Sequence, residues 1–211
     1  PADTAAGAPP DSPSSDDPNS RALRDDLPQP DLYAEWDEPA TIDAVERALS
    51  AVGQVYRLEA NISFAARLAL IRPDFVFNIA EGLYGPNREG HVPAICEFLG
   101  ILCHASDPLT LGLALDKRRA KEIMSYHGVP TAPFVLAKSP ADARNVQLPF
   151  PLFVKPRFGR GGVQAYPARS KRELDFFLEY VNGPVVQEFL AGPEFTIDLL
   201  CGFDRVPRAV V

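Results

Sequence analysis

The chain has 211 residues, 46% of them hydrophobic, and a net charge of −7. No apolar run approaches the roughly 20 residues that span a bilayer, and the start (Pro, Asp, Ala) lacks the basic residues and apolar core of a signal peptide. Residues 1–36 hold eight acids and two bases, so everything after Trp36 is near neutral, which excludes a nucleic-acid partner for the folded part.

Residues 1–36 are rich in Pro, Asp, Ser and Ala, too polar to offset the entropy of ordering; they read as a disordered acidic tail. From Asp37 the pattern changes. Ile42, Val45, Leu49 and Val52 make one helical stripe, with Asp37 or Thr41 as cap and Gly53 after its end. Residues 54–58 read as a strand and 62–71 as a helix closed by Pro73. Phe75 to Ile79 is a continuous apolar run, suited to a strand covered on both faces. A helix over 92–99 ends at Gly100, and 101–103 is a short strand. Strands alternating with helices predict a parallel sheet wrapped by helices over 37–107.

Two helices follow, 109–115 and 117–127, the second closed by Gly128 and Pro130. Next come a strand at 134–136, a short helix near 140–144, a strand ending at Lys155 and another over 163–166. A helix at 172–181 turns Leu174, Phe177, Leu178 and Val181 inward. Strands at 185–189 and 195–203 complete residues 108–211, an α+β arrangement. In the last strand Phe195, Ile197 and Leu199 face one way, Glu194, Thr196 and Asp198 the other. The three cysteines, Cys96, Cys103 and Cys201, sit in apolar runs and read as reduced core thiols of a cytoplasmic protein. No CxxC or HxxxH spacing supports a metal corner at His91, Cys103 and His104.

The stretch from Pro151 to Gln164 carries the most chemistry. Phe153 and Lys155 share a strand face, and withdrawing a lysine from water costs several kcal/mol unless an anion meets it. Pro156 ends the ladder. Gly159, Gly161 and Gly162, with Arg160 between them, leave a turn that can present backbone N–H groups to a phosphate. The plainer alternative is a surface hairpin whose lysine snorkels. Neither GxxxxGK[ST] nor GxGxxG opening a helix occurs, and GxSxG and HExxH are missing as well.

Phe77-Asn-Ile-Ala-Glu-Gly82, Asn87-Arg-Glu-Gly90 and Leu113-Ala-Leu-Asp-Lys117 resemble the N-terminal half of D-alanine–D-alanine ligases. Pro151-Leu-Phe-Val-Lys-Pro156, Val185-Val-Gln-Glu-Phe-Leu190 and Gly192-Pro-Glu-Phe-Thr196 resemble the ATP-grasp domain that follows it. The match runs in the family's order from Asp37 to Val211. The resemblance implies an α/β fold: a pre-ATP-grasp unit over 37–107, then the N-terminal part of an ATP-grasp domain over 108–211, incomplete at its C-terminus. It implies ATP and Mg²⁺ as cofactors and small carboxylate and amine substrates joined through an acyl phosphate, and it allows a homodimer.

By the same resemblance, Lys117 and Lys155 bind ATP phosphates under a mobile flap, Gly159 to Gly162, with Arg160 offsetting phosphoryl charge. Gln187, Glu188, Phe189 and Leu190 hold adenine, Glu194 accepts from the ribose hydroxyls, and Glu81 and Glu89 meet the amino-acid substrate. Plainer readings stand beside these: Lys117 as a solvated helix lysine, Glu194 as a wet strand face, Glu81 and Glu89 as turn acids, Phe189 and Leu190 as core. The flap reads Gly159-Arg-Gly-Gly162 where these ligases carry Glu-Gly-Ser-Ser, and is more similar to carbamoyl-phosphate-synthase-like ATP-grasp proteins. The family's Mg²⁺ ligands would lie beyond Val211, so the chain reads as a fragment, inactive alone. A non-catalytic nucleotide-binding or assembly module is the alternative.

Overall fold

A computed structural model describes residues 35–135, 141–142, 146–202, 204 and 206–210. The acidic tail expected over 1–36 lies outside the described residues except for Glu35 and Trp36, as does most of the short helix expected near 140–144.

The N-terminal part begins with helix α1 (Pro39–Leu49). Glu38, rather than Asp37 or Thr41, stands at its N-cap, and a proline opens its first turn, where a missing N–H costs nothing. Helix α2 (Phe64–Ile71) ends on Arg72 in a left-handed conformation, just before Pro73. Strand β1 (Phe75–Phe77) pairs in parallel with β2 (Leu102–His104), Val76 opposite Cys103. Between them helix α3 (His91–Leu99) ends at left-handed Gly100. Phe64, Leu68, Val92 and Cys96 form the core here, with Val76, Ile95 and Cys103 packed against it.

Two expectations fail in this part. Residues 54–58 form no strand, because no described segment pairs beside them. Instead Arg57 turns back to Asp43 and Glu46 on α1, and Leu58 packs into the core. Strand β1 is also not covered on both faces: Phe75 and Phe77 are 41% and 39% exposed. In the described sheet β1 has one partner strand, and α2 and α3 pack on the side of Val76 and Cys103, so the apolar run overstates the burial.

Helix α4 (Pro108–Leu115) is capped by Asp107, which accepts from the Thr110 amide. Helix α5 (Lys117–Tyr126) is capped by Asp116, which accepts from the amides of Arg118 and Arg119. Then come β3 (Phe134–Val135), β4 (Leu152–Pro156), β5 (Tyr166–Ala168), helix α6 (Lys171–Tyr180) and β6 (Pro184–Glu188). The four strands form an antiparallel sheet in the order β3-β6-β4-β5. Strand β4 runs on through Pro156, opposite Pro184, and β5 starts three residues later than the sequence pattern indicates, after a left-handed Gln164.

This sheet has two unlike faces. Leu152, Val154, Ala168 and Val186 point at α6, whose Leu174 and Leu178 close the core with Val181. Phe153, Lys155 and, by register, Gln187 point the other way, towards α4 and α5. The alternation in Leu-Phe-Val-Lys-Pro thus aims a lysine away from the apolar layer. Finally β7 (Leu199–Cys201) pairs with β8 (Pro207–Val210) as an exposed hairpin. Residues 193–198 form no strand, and Phe195 and Ile197 stay 78% and 70% exposed. The expected two-faced strand over 195–203 is therefore confined to its end.

Candidate active site

The site is a cavity of about 450 Å³ between β4, the turn that follows it, the α4–α5 junction and the loop before α3. Lys155 projects into it from β4, and Lys117 from the first turn of α5. Among the described residues no carbonyl or carboxylate accepts a hydrogen bond from the Lys155 ammonium. Burial holds Lys155 below the ordinary lysine range. Burial does the same to Lys117, helped by the positive charges of Lys155 and Arg88. Lys117 Nζ donates to Gly159 O at 2.8 Å, so in this state the flap backbone takes one of its bonds.

The two lysines are held in register by a partly buried pair. Arg157 Nε donates to Asp116 Oδ1 at 2.7 Å, and a second guanidinium nitrogen donates to the other carboxylate oxygen. Burial by itself would raise the Asp116 carboxyl, but Arg157 and the amides of Arg119 and Arg118 outweigh it and hold it below the usual range. The Lys117 amide donates to Arg157 O at 3.1 Å. Strand end and helix start are thereby locked, fixing both ammonium groups.

Above them lies the flap. Gly161 and Gly162 adopt positive φ (48° and 72°), a conformation that side chains with a Cβ disfavour. Gly159, Arg160, Gly161 and Gly162 all line the cavity, as do Glu89 and Glu194. Arg160 differs from expectation in its aim: it is 3% exposed and donates to the carbonyls of Gly82 (3.0 Å) and Leu83. Glu81 lies outside the cavity wall, yet its carboxylate falls within 4.8 Å of those of Glu89 and Glu35. Burial and the neighbouring charges of Glu89 and Glu35 push Glu81 up; burial pushes Glu89 up likewise, with Arg88 opposing.

Gln187, Glu188, Phe189 and Leu190 stand apart from this wall. The Glu188 amide is taken by Pro133 O and the Phe189 amide by Pro151 O. Phe189 lies 6.2 Å from Phe153, which does line the cavity, and Leu190 is 65% exposed. Gln187 Oε1 is buried with no partner among the described residues, on the sheet face that carries Phe153 and Lys155.

Three participants escaped the sequence reading. Glu35, assigned to the acidic tail, accepts from the Gly161 amide at 3.1 Å. Arg88, inside a quoted motif but given no role, is 2% exposed and reaches Phe158 O, Glu35 and Glu89. Lys121 is a buried third lysine, held by Thr131 Oγ1 and Ala132 O, which burial and Lys155 bring down to about 8. Its place four residues after Lys117, one helical turn on, was the only signal.

A family model described as the ATP-grasp domain matches residues 114–209. These residues belong to the ATP-grasp family. A D-alanine–D-alanine ligase of Pseudomonas entomophila is 32% identical over 174 residues, 79% of this chain and 54% of the relative. The crystal structure of the VanG D-Ala:D-Ser ligase from Enterococcus faecalis superposes with a TM-score of 0.56 at 27% identity, over 65% of this chain and 42% of that one. The biotin carboxylase domain of a Hydrogenobacter thermophilus 2-oxoglutarate carboxylase, solved with MgADP, ADP and bicarbonate, shares the fold: TM-score 0.55, 20% identity, 71% and 37% covered. The chain spans about half the length of the curated relatives it matches.

Within the ATP-grasp domain, the cavity side of the sheet brings together Lys155, the glycine flap and Glu194, and α5 supplies Lys117. The loop of residues 81–90, which precedes the domain, contributes the acidic edge. Magnesium does not fit that edge. Arg88 lies 3.4 Å from both Glu35 and Glu89, and a divalent ion among these carboxylates would meet the guanidinium at close range.

Proposed function

We propose that this chain forms the nucleotide pocket, and one edge of the acid pocket, of an ATP-dependent carboxylate–amine ligase. Residues 37–107 would be its pre-ATP-grasp unit and 108–211 the first part of its ATP-grasp domain. The observation that carries the reading is Lys155: a desolvated ammonium without a partner among the described residues, under a turn of positive-φ glycines. Such a group is an anion site awaiting its anion. Lys117 lies on the same cavity, and its bond to the Gly159 carbonyl is one that a phosphate oxygen can replace.

The remaining groups suit the rest of a nucleotide. Gln187 Oε1 is an orphaned buried acceptor, which an exocyclic amine such as that of adenine would satisfy. Phe153 and Phe189 offer aromatic faces beside it. Glu194, on the cavity wall, would accept from ribose hydroxyls. Glu35, Glu81 and Glu89 form a negative edge suited to an ammonium on the acid substrate. An ammonium there would offset the mutual repulsion that adds to burial in raising Glu81 and Glu89.

In the reaction, a substrate carboxylate oxygen attacks the γ-phosphorus of ATP and ADP leaves. The amine then attacks the acyl carbon and inorganic phosphate leaves. The residues present hold the reactants and offset charge by position; none of them need be covalently modified. The test is ADP release by the protein from the complete reading frame, with ATP, magnesium and a panel of amino acids. Acid-dependent ADP formation is expected; a folded protein that binds no ATP overturns the reading.

A further inference from the structure

We propose that Arg160 and Arg88 are positioning residues that clasp the flap to the 81–90 loop, so that filling the nucleotide cavity sets the placement of Glu81 and Glu89. This rests on reading the cavity as a nucleotide site. The two arginines reach across in opposite directions. Arg160, from the flap, donates to Gly82 O and Leu83 O; Arg88, from the loop, donates to Phe158 O at 3.3 Å. Both guanidinium groups are almost wholly buried, at 3% and 2% exposure. Arg160 places two donors of its planar fork on neutral carbonyls 77 and 78 residues away, which fixes geometry.

The rest of the wiring gives the clasp a direction. Gly159 O accepts from Lys117, Phe158 O accepts from Arg88, and the Gly161 amide donates to Glu35, which Arg88 also pairs. A phosphate that draws Lys117 away frees the flap at Gly159, next to Arg160. Any shift of Arg160 moves the Gly82 and Leu83 carbonyls, and these adjoin Glu81. Gly82 sits at φ +68°, where an added Cβ would lie 2.3 Å from Arg88 O, so loop and arginine are packed as one piece. Arg88 completes the circuit, since the guanidinium on Phe158 O also pairs Glu89.

Hydrogen–deuterium exchange on the wild type, Arg160→Gln and Arg160→Lys, each with and without magnesium ADP, tests this. Residues 171–180 serve as the folding control. Without nucleotide, exchange in the 81–90 loop is expected to rise about tenfold or more in Arg160→Gln, from two lost charge-assisted bonds, and less in Arg160→Lys. With ADP, the wild type gains protection at both 157–163 and 81–90, whereas Arg160→Gln gains it at 157–163 only. Unchanged loop exchange in ligand-free Arg160→Gln overturns the clasp, and so does loop protection by ADP in that variant. Wild-type protection of the flap without the loop overturns the coupling and leaves the nucleotide site standing. Wild-type protection of neither removes the nucleotide reading and the coupling with it, while the ligand-free arm still decides the clasp.

Discussion

Replacing Lys155 by methionine separates a binding lysine from a structural one, because the two roles move stability and affinity in different directions. In the ligand-free protein Lys155 is desolvated, no described residue pairs it, and burial lowers its pKa. A lowered lysine pKa means that the charged form is less favourable in the fold than in the unfolded chain. Methionine keeps the unbranched stem and removes the charge, so the ligand-free protein should not lose stability. Each kcal/mol of relieved desolvation would raise Tm by about 2–4 °C in a chain of this size. Nucleotide binding should move the other way. One hydrogen bond between charged groups is worth about 1.5–3 kcal/mol, which is about a 10- to 150-fold rise in the Kd for ATP. Thermal unfolding and calorimetric titration on the same preparation measure both. A Tm drop of several degrees with unchanged ATP affinity would refute the argument and make Lys155 a packing residue.

Asp116→Asn removes the charge that Arg157 and the α5 amides share and should lower Tm by about 3–9 °C. Because the folded Asp116 pKa lies below its usual value, that stability is present above pH 3.8 and is lost as pH falls through the folded pKa; the variant should lack this limb in acid unfolding. Gly82→Ala forces a Cβ towards Arg88 O at a positive φ and should cost about 2 kcal/mol or more, or about 4–8 °C in Tm. ATP affinity should weaken as pH rises from about 7 to about 10, since Lys117 and Lys155 lose their protons below the usual 10.5; an affinity flat over that range in a titration series would contradict phosphate contact by these lysines.

Much of the fold follows from local pattern. The strand ending at Lys155 alternates cleanly because one of its faces meets α6 and the other the cavity that holds the lysines, and sequence period reports that division directly. Helix α6 is legible for the same reason: a single apolar stripe packs one way. Residues 54–58 and 195–198 show the limit. Their composition suits strands, but a strand exists only where a second one accepts its hydrogen bonds, and no described strand pairs with either of them. Pairing is a property of the partner, which no window of sequence contains.

The site divides along a similar line. Lys117, Lys155 and the flap glycines were recognisable because each sits at an element boundary whose position is locally encoded, and the structure brings them onto one cavity. Arg160 was recognisable as a residue but not as a vector. Its charge suggested a phosphate, yet its reach is taken by two carbonyls from a loop nearly eighty residues earlier. Glu35 was obscured by its neighbours, since an acid among many acids reads as solvated tail until the Gly161 amide is seen to meet it. Charged groups with long side chains interact where their heads arrive, not where their Cα atoms lie. A flap arginine with two donors on backbone carbonyls therefore makes Lys117 and Lys155 the first residues to test for phosphate charge, and these stand where the Asp116–Arg157 pair joins strand end to helix start.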